Sequence, residues 1–186
     1  ISVECDMALN ALIRKLSLSV ADVDRGYYAD HELTLAQHPS ETDERLMLRV
    51  LAFALFADER LDFGRGLSSD DEPDLWQRER DGRLTRWIDL GLPDERRVRK
   101  ACGRADQVVV MTYGESKARV WRERHEAVLA RFDNLTILDI RRADCDALTA
   151  LIGRAMSLSL TVQDGQALVA GPDNSFAITP DVIRQS

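Results

Sequence analysis

The chain has 186 residues, enough for one domain or two small ones with a hydrophobic core that needs no disulfide or metal. Hydrophobic residues make up 45% and charged residues 31%, which excludes an intrinsically disordered, collagen-like or coiled-coil protein. No stretch approaches the roughly 18 to 20 consecutive apolar residues of a membrane helix, and the cysteines form no C-x-x-C pair. We therefore expect a soluble cytoplasmic protein with a single domain over residues 7–186, preceded by a tag or N-terminal extension over residues 1–6.

The net charge of −7 argues against a protein that coats nucleic acid with bulk positive charge. The charge is uneven, because residues 60–131 contain 16 basic and 14 acidic residues, whereas the rest of the chain contains 9 and 18. An anionic partner would therefore meet the middle of the chain. Lysine is scarce, so chemistry that needs an ammonium group has few candidates: Lys15, Lys100 and Lys117.

The first half of the chain predicts a long hairpin, a core helix and a strand meander. Apolar residues alternate in residues 8–20 and 27–37, which favours two paired strands. A helix is expected from residue 41 to about residue 58, with Asp43 as its cap and Glu41 as a partner of the helix dipole. Strands of the meander are predicted at residues 61–67, 74–76 and 84–91, with an acidic turn at 70–73 and a hairpin turn at Asp81-Gly82.

The second half of the chain alternates helices and strands. The predicted elements are a helix at 94–102, a buried strand at 108–111, a helix at 115–131, a strand at 135–140, a helix at 144–155 and a hairpin of 157–163 with 167–170. This order predicts an α/β (α+β) fold with one mixed β-sheet, flanking helices and β-hairpins at both termini.

Asp74 and Asp89 are candidate ligands for one divalent cation. They lie on strands that the hairpin turn would pair, and opposite residues of paired strands are about 5 Å apart. Mg²⁺ prefers oxygen ligands and keeps several waters, so two carboxylates are enough, with Glu44 or Glu41 assisting from the preceding helix. Mg²⁺ or Mn²⁺ held there would activate water against a phosphodiester. The alternative interpretation is a solvated acidic turn without a metal.

Five segments of the chain are distinctive. They are Leu33 to Ala36 with His38 to Thr42, Ala57 to Leu61, Gly66-Leu67, Asp70 to Pro73, and Trp87 to Arg97. With these motifs the chain resembles the YaeQ family of bacterial proteins from Met7 almost to its end. The predicted order of helix, meander, helix and strand is also similar to the core of the PD-(D/E)xK, or restriction endonuclease-like, superfamily. The resemblance implies a compact nuclease-like fold.

One position departs from the superfamily pattern. The lysine of the (D/E)xK motif would stand two residues after Asp89, where this chain has Gly91. In that superfamily the charge can come from the following helix, on which Lys100 is the one available lysine. Either Lys100 supplies the cation that stabilises the phosphate in the transition state, or hydrolysis has been lost.

Two hypotheses follow from this pattern. The first is a metal-dependent phosphodiesterase acting on DNA or RNA, with Asp74 and Asp89 as ligands. The second is a non-catalytic module that binds nucleic acid or a protein through residues 94–104 and 117–131, with no membrane partner expected and the oligomeric state left open. The residues predicted to contact nucleic acid are Arg96, Arg97, Arg99, Lys100 and Arg104, which are alternatively the solvated face of a surface helix.

Overall fold

A computed structural model describes residues 11–65 and 71–186, and within these residues the chain forms two β-sheets and four helices. The strands are β1 Leu12–Asp22, β2 Tyr27–Gln37, β3 Leu61–Phe63, β4 Leu75–Arg78, β5 Leu84–Leu90, β6 Ala105–Tyr113, β7 Leu135–Ile140, β8 Ala155–Gln163, β9 Gln166–Ala170, β10 Ser175–Ile178 and β11 Asp181–Arg184. The helices are α1 Asp43–Leu55, α2 Glu95–Cys102, α3 Ser116–Leu129 and α4 Arg142–Thr149.

Both sheets are mixed. The five-stranded sheet has the order β10-β9-β8-β1-β2, and the six-stranded sheet has the order β11-β7-β6-β5-β4-β3. The predicted N-terminal and C-terminal hairpins are confirmed, but the prediction of one sheet is wrong. The two hairpins join each other through a parallel pairing of β1 with β8, in which Lys15 lies opposite Ala155, and so form a sheet of their own.

Helix α1 lies between the two sheets. Residues 46–54 are all buried and, apart from Arg49, all apolar, as expected of a helix packed on two faces. Its side chains share one core with residues of the five-stranded sheet, such as Leu18, and with residues of the six-stranded sheet, such as Ile88. The polypeptide therefore stacks sheet, helix and sheet around α1.

Helices α2 and α3 cover the opposite face of the six-stranded sheet. Trp87 of β5 packs there with Val98 of α2 and Trp121 of α3. Because successive side chains of a strand point to opposite faces, Asp89 shares the face of Trp87, whereas Ile88 and Leu90 face α1. This alternation places α1 and α2 on opposite sides of the strand that carries Asp89.

Several predicted boundaries need correction. Thr42 is the N-cap of α1, since its side chain accepts a hydrogen bond from the backbone of Arg45, so Asp43 is the first helical residue and not the cap. The helix ends at Leu55, not near residue 58, and α4 ends at Thr149. Strands β10 and β11 were not predicted.

Parts of the predictions lie outside the described residues. They are the extension at residues 1–6, the end of the predicted strand 61–67 and the first residue of the acidic turn 70–73. In the part of the chain that is described, no helix is both long and apolar enough to cross a membrane.

Candidate functional site

Asp74 and Asp89 lie side by side at the ends of two paired strands. Asp74 directly precedes β4, Asp89 is the penultimate residue of β5, and between them Leu75 pairs with Ile88. The backbone N–H of Asp74 donates to the Ile88 carbonyl at 3.0 Å, and the N–H of Leu90 donates to Oδ2 of Asp74 at 2.8 Å. Asp74 is therefore bonded to the residues on both sides of Asp89. Both aspartates are 2% exposed.

Arg45 of α1 neutralises Asp74. Its Nη2 donates to Oδ1 of Asp74 at 2.6 Å, and its Nη1 donates to Oε1 of Glu41 at 3.0 Å. The second oxygen of Glu41 accepts from Arg49 at 2.9 Å. Two arginines and two carboxylates therefore form one buried network between the start of α1 and the start of β4, and each arginine takes one oxygen of Glu41.

Arg97 of α2 neutralises Asp89. Its Nε and Nη2 donate to the two oxygens of Asp89, both at 2.8 Å, the paired geometry that makes arginine and carboxylate associate strongly. Nη2 also donates to the carbonyl of Glu72 at 2.8 Å. Burial nevertheless raises the pKa of Asp89; Arg97 opposes this shift, and the negative charge of Asp74 adds to it.

Whether Asp74 and Asp89 can hold a divalent cation depends on the hydrogen bonds that their oxygens already accept. All four carboxylate oxygens accept hydrogen bonds, from Arg45, from Arg97 or from the backbone of Leu90. The two guanidinium groups arrive from helices on opposite faces of the sheet, and they supply the positive charge that a metal would bring. The arrangement does not fit a metal unless an arginine moves away. Across residues 11–65 and 71–186, no three His, Cys, Asp or Glu side chains form a metal-binding group.

The backbone conformation at residue 91, two residues after Asp89, does not suit a lysine. Gly91 has φ of +94°, a left-handed conformation that side chains rarely adopt, and its N–H donates to the Met111 carbonyl at 2.9 Å. Strand β5 has already ended at Leu90, so residue 91 is part of a turn into α2. A lysine here would be strained and would not extend from a regular strand.

Three of the four predicted nucleic-acid residues of α2 line a surface cavity of about 250 Å³. Arg96, Arg97 and Lys100 line it together with Asp71 and Asp94. Lys100 forms an ion pair with Asp71, and this contact lowers the pKa of that carboxyl. We call this cavity and its lining residues the α2 cavity.

The two remaining basic candidates differ in their environment. The charge of Arg104 reaches the α2 cavity, because it also lowers the pKa of Asp71. Arg99 instead pairs with Glu95 along the helix and does not line the α2 cavity. On α2 it is therefore Arg97 that contacts Asp89, whereas the sequence pattern pointed to Lys100.

The two glutamates predicted to assist have different positions. Glu41 is buried in the arginine network described above. Glu44 is half-buried, and its negative charge adds to burial, the main cause that raises the pKa of Tyr113 and of Cys145. Sequence reasoning missed Arg45 and Arg49, although their spacing gave a signal. They follow Glu41 by four and eight residues, on one face of a helix that is otherwise apolar.

A sequence model of the YaeQ protein family matches residues 7–180. The chain is 44% identical to a protein of Salmonella typhi and 43% identical to one of Escherichia coli strain K12, each described as "Uncharacterized protein YaeQ". Both matches span 172 residues, 92% of this chain and 95% of the relative.

Two crystal structures of YaeQ proteins also match the chain. The crystal structure of the YaeQ protein from Xanthomonas axonopodis pv. citri matches with a TM-score of 0.91 and 51% identity, covering 95% of this chain and 99% of that one. The YaeQ protein from Pseudomonas syringae matches with a TM-score of 0.90 and 30% identity, covering 95% and 97%. The family resemblance predicted from the motifs is confirmed, and the chain belongs to the YaeQ family.

Proposed function

We propose that the chain is a non-catalytic module that binds nucleic acid through the α2 cavity and the adjacent Arg104. The observation that carries this proposal is the neutralisation of Asp74 by Arg45 and of Asp89 by Arg97. With both carboxylates engaged, the residues of the site that are suited to a phosphodiester are the basic groups of α2. The relation to PD-(D/E)xK nucleases stays a prediction, and binding through α2 does not depend on it.

The charges around the α2 cavity favour weak binding. Arg96, Arg97 and Lys100 are opposed by Asp71 and Asp94, and Arg97 is already committed to Asp89. Few positive charges therefore remain for phosphate groups, and the whole chain carries −7. Each phosphate that a basic side chain neutralises makes the logarithm of the affinity fall by about 0.7 to 0.9 per decade of salt concentration. We expect measurable binding at low salt and its loss as salt rises.

Titration of fluorescent single-stranded DNA, duplex DNA and RNA at several salt concentrations tests this proposal. Arg96→Glu and Lys100→Glu should each weaken binding and reduce the salt slope by about one. Arg154→Glu is a matched control, since it changes the same charge at an exposed residue just before β8, in the other sheet. Absence of binding at low salt, or equal weakening by all three variants, would contradict the proposal.

A second candidate function is a phosphodiesterase that uses Mg²⁺ or Mn²⁺. The closeness of the two carboxylates favours it, because the charge of Asp74 raises the pKa of Asp89 and a cation between them would relieve the repulsion. A metal would require Arg45 or Arg97 to leave, with Glu44 or Glu41 assisting and Lys100 as the cation.

Metal titration separates the two candidates. If the second is correct, Mn²⁺ raises the melting temperature of the wild type but not of Asp89→Asn, and this variant loses hydrolysis while it stays folded. Asp106→Asn, at an exposed position of β6, is the matched control and should keep the response to Mn²⁺. A wild type that is indifferent to Mn²⁺ leaves the binding module as the function.

A further inference from the structure

Strand β2 forms a long edge of the five-stranded sheet. It has 11 residues, whereas the other edge strands that the structure describes, β3, β10 and β11, have three or four each. An edge strand is usually short or covered, because its unpaired N–H and C=O groups can pair with another chain. Among the described strands, β2 pairs with β1 alone, so its other side is open.

The register of the sheet identifies the unpaired backbone groups of β2. Lys15 of β1 lies opposite Thr34, but its N–H donates to the carbonyl of Arg154, on the side away from β2. The backbone groups of Thr34 therefore point away from β1, as do those of every second residue of β2. Ala36 also points outward, and its carbonyl accepts from Arg49 at 3.0 Å. The remaining outward residues, Tyr28, Asp30, Glu32 and Thr34, form a free edge over residues 28–34.

The inner face of this edge is only partly covered. Ala29, His31 and Leu33 point toward α1 and are half-buried. The ring of His31 meets Phe53 of α1 edge-on, with centroids 5.0 Å apart, and Phe53 stacks on Phe63 of β3 at 5.1 Å. Phe63 is itself half-buried. A row of rings therefore runs from β2 across α1 to β3, and an apolar side chain beside β2 could pack on it.

The outer face of the same edge is acidic. Asp30 and Glu32 are exposed, and they lie opposite the uncharged Ser19 and Ser17 of β1, with Lys15 at the next outward position. Opposite charges on paired strands attract, and like charges repel. A second copy of β2, paired antiparallel about its middle, would set Asp30 against Glu32. The edge therefore disfavours self-pairing and favours a strand with basic side chains.

We propose that β2 binds an extended basic segment of a partner protein as an added antiparallel strand. Alternate residues of this segment are basic and lie opposite Asp30 and Glu32. The residues between them are apolar and pack on His31, Leu33 and Phe63. Backbone hydrogen bonds to residues 28–34 supply affinity, and the alternation of side chains supplies specificity. The edge belongs to the sheet that does not carry the α2 cavity, so this binding does not depend on nucleic acid.

A peptide of alternating lysine and valine, blocked at both ends, is a suitable probe. Isothermal titration should show saturable binding that persists at about 0.15 M salt. In an antiparallel strand with its lysines on the outer face, the lysine N–H groups point at β2 and the valine N–H groups point away. Methylating the lysine backbone nitrogens should therefore abolish binding, whereas methylating the valine backbone nitrogens should preserve it. Both methylated peptides keep the charge of the parent peptide.

Charge reversal on the protein tests the complementarity. Asp30→Lys should weaken peptide binding about fivefold. Asp173→Lys makes the same change at an exposed residue between β9 and β10 and should bind like the wild type, as should Lys100→Glu.

Four results would overturn the proposal. They are no saturable binding, equal binding of the two methylated peptides, equal weakening by Asp30→Lys and Asp173→Lys, and a dimer of the free chain in sedimentation that Asp30→Lys disrupts. The last result would assign the edge to a second copy of the chain.

Discussion

Replacing Arg97 with methionine should strongly destabilise the protein at neutral pH. Methionine keeps the apolar part of the side chain but removes two hydrogen bonds to Asp89 and one to Glu72, all of 2.8 Å. Asp89 is 2% exposed, so its charge would stay buried without a partner. Breaking a buried ion pair from one side costs about 3–5 kcal/mol. For a chain of this size that corresponds to a fall in melting temperature of roughly 10 °C.

The pKa of Asp89 gives this loss a pH dependence. Burial raises the pKa above the ordinary value of 3.8 even with Arg97 in place, so the folded protein binds this proton more tightly than the unfolded chain. The contribution of Asp89 to stability therefore falls as pH rises from that value through the folded-state pKa. Without Arg97 the pKa rises further, and the fall extends toward neutral pH. The deficit of Arg97→Met should be larger at about pH 8 than at about pH 5.5.

Urea unfolding of the wild type, both single variants and the double variant measures the coupling. Asp89→Asn leaves a partly exposed arginine that water can solvate, so it should cost about 1–2 kcal/mol. The double variant, Arg97→Met with Asp89→Asn, should lose little more than Asp89→Asn alone, because no charge is then buried. Single losses that add up in the double variant, or a loss for Arg97→Met that is the same at both pH values, would refute the reasoning.

Three further predictions test individual features of the fold. Gly91→Lys should cost about 1–2 kcal/mol in urea unfolding and gain no hydrolysis, because residue 91 has φ of +94°; a stable variant would contradict the backbone explanation. Thr42→Ala should cost about 1 kcal/mol by the same measurement, since the Thr42 side chain caps α1 at 3.2 Å, whereas Thr42→Ser should lose little. Burial raises the pKa of Cys102 to about 11 and of Cys145 to about 12, so in a Cys5→Ser background we expect slow reaction with a thiol reagent near pH 8 until urea unfolds the chain.

Local sequence patterns predicted most of the elements. Alternation of apolar residues located β1 and β2, a turn between two short segments located the β8-β9 hairpin, and the apolar run 108–111 located β6. The division into two sheets was missed because it depends on the pairing of β1 with β8, which joins residues about 140 positions apart. Strand β11 was missed for the same reason, since Asp181 pairs with Asp139 of β7. A local sequence pattern does not predict which distant strands pair.

At the candidate site, the sequence predicted where the two aspartates lie but not which side chains pair with them. The turn at Asp81-Gly82 made it possible to place Asp74 near Asp89. Which cations meet these carboxylates depends on how α1 and α2 pack on opposite faces of the sheet. Arg45 comes from one face and Arg97 from the other, whereas a search for a lysine by sequence position led to Lys100, which pairs with Asp71.

The arginine pairs also explain how a site rich in buried carboxylates is compatible with stability. Two adjacent buried aspartates repel, and their charge must be balanced from within the protein. Arg45 and Arg97 achieve this in place, each with one end on a helix that is packed against the sheet. Any ligand that competes for Asp74 or Asp89 must therefore replace an arginine that also helps to hold α1 or α2 on the six-stranded sheet. Binding at the carboxylates is thereby linked to the stability of the fold, whereas binding by Arg96 and Lys100 at the α2 cavity leaves both pairs intact.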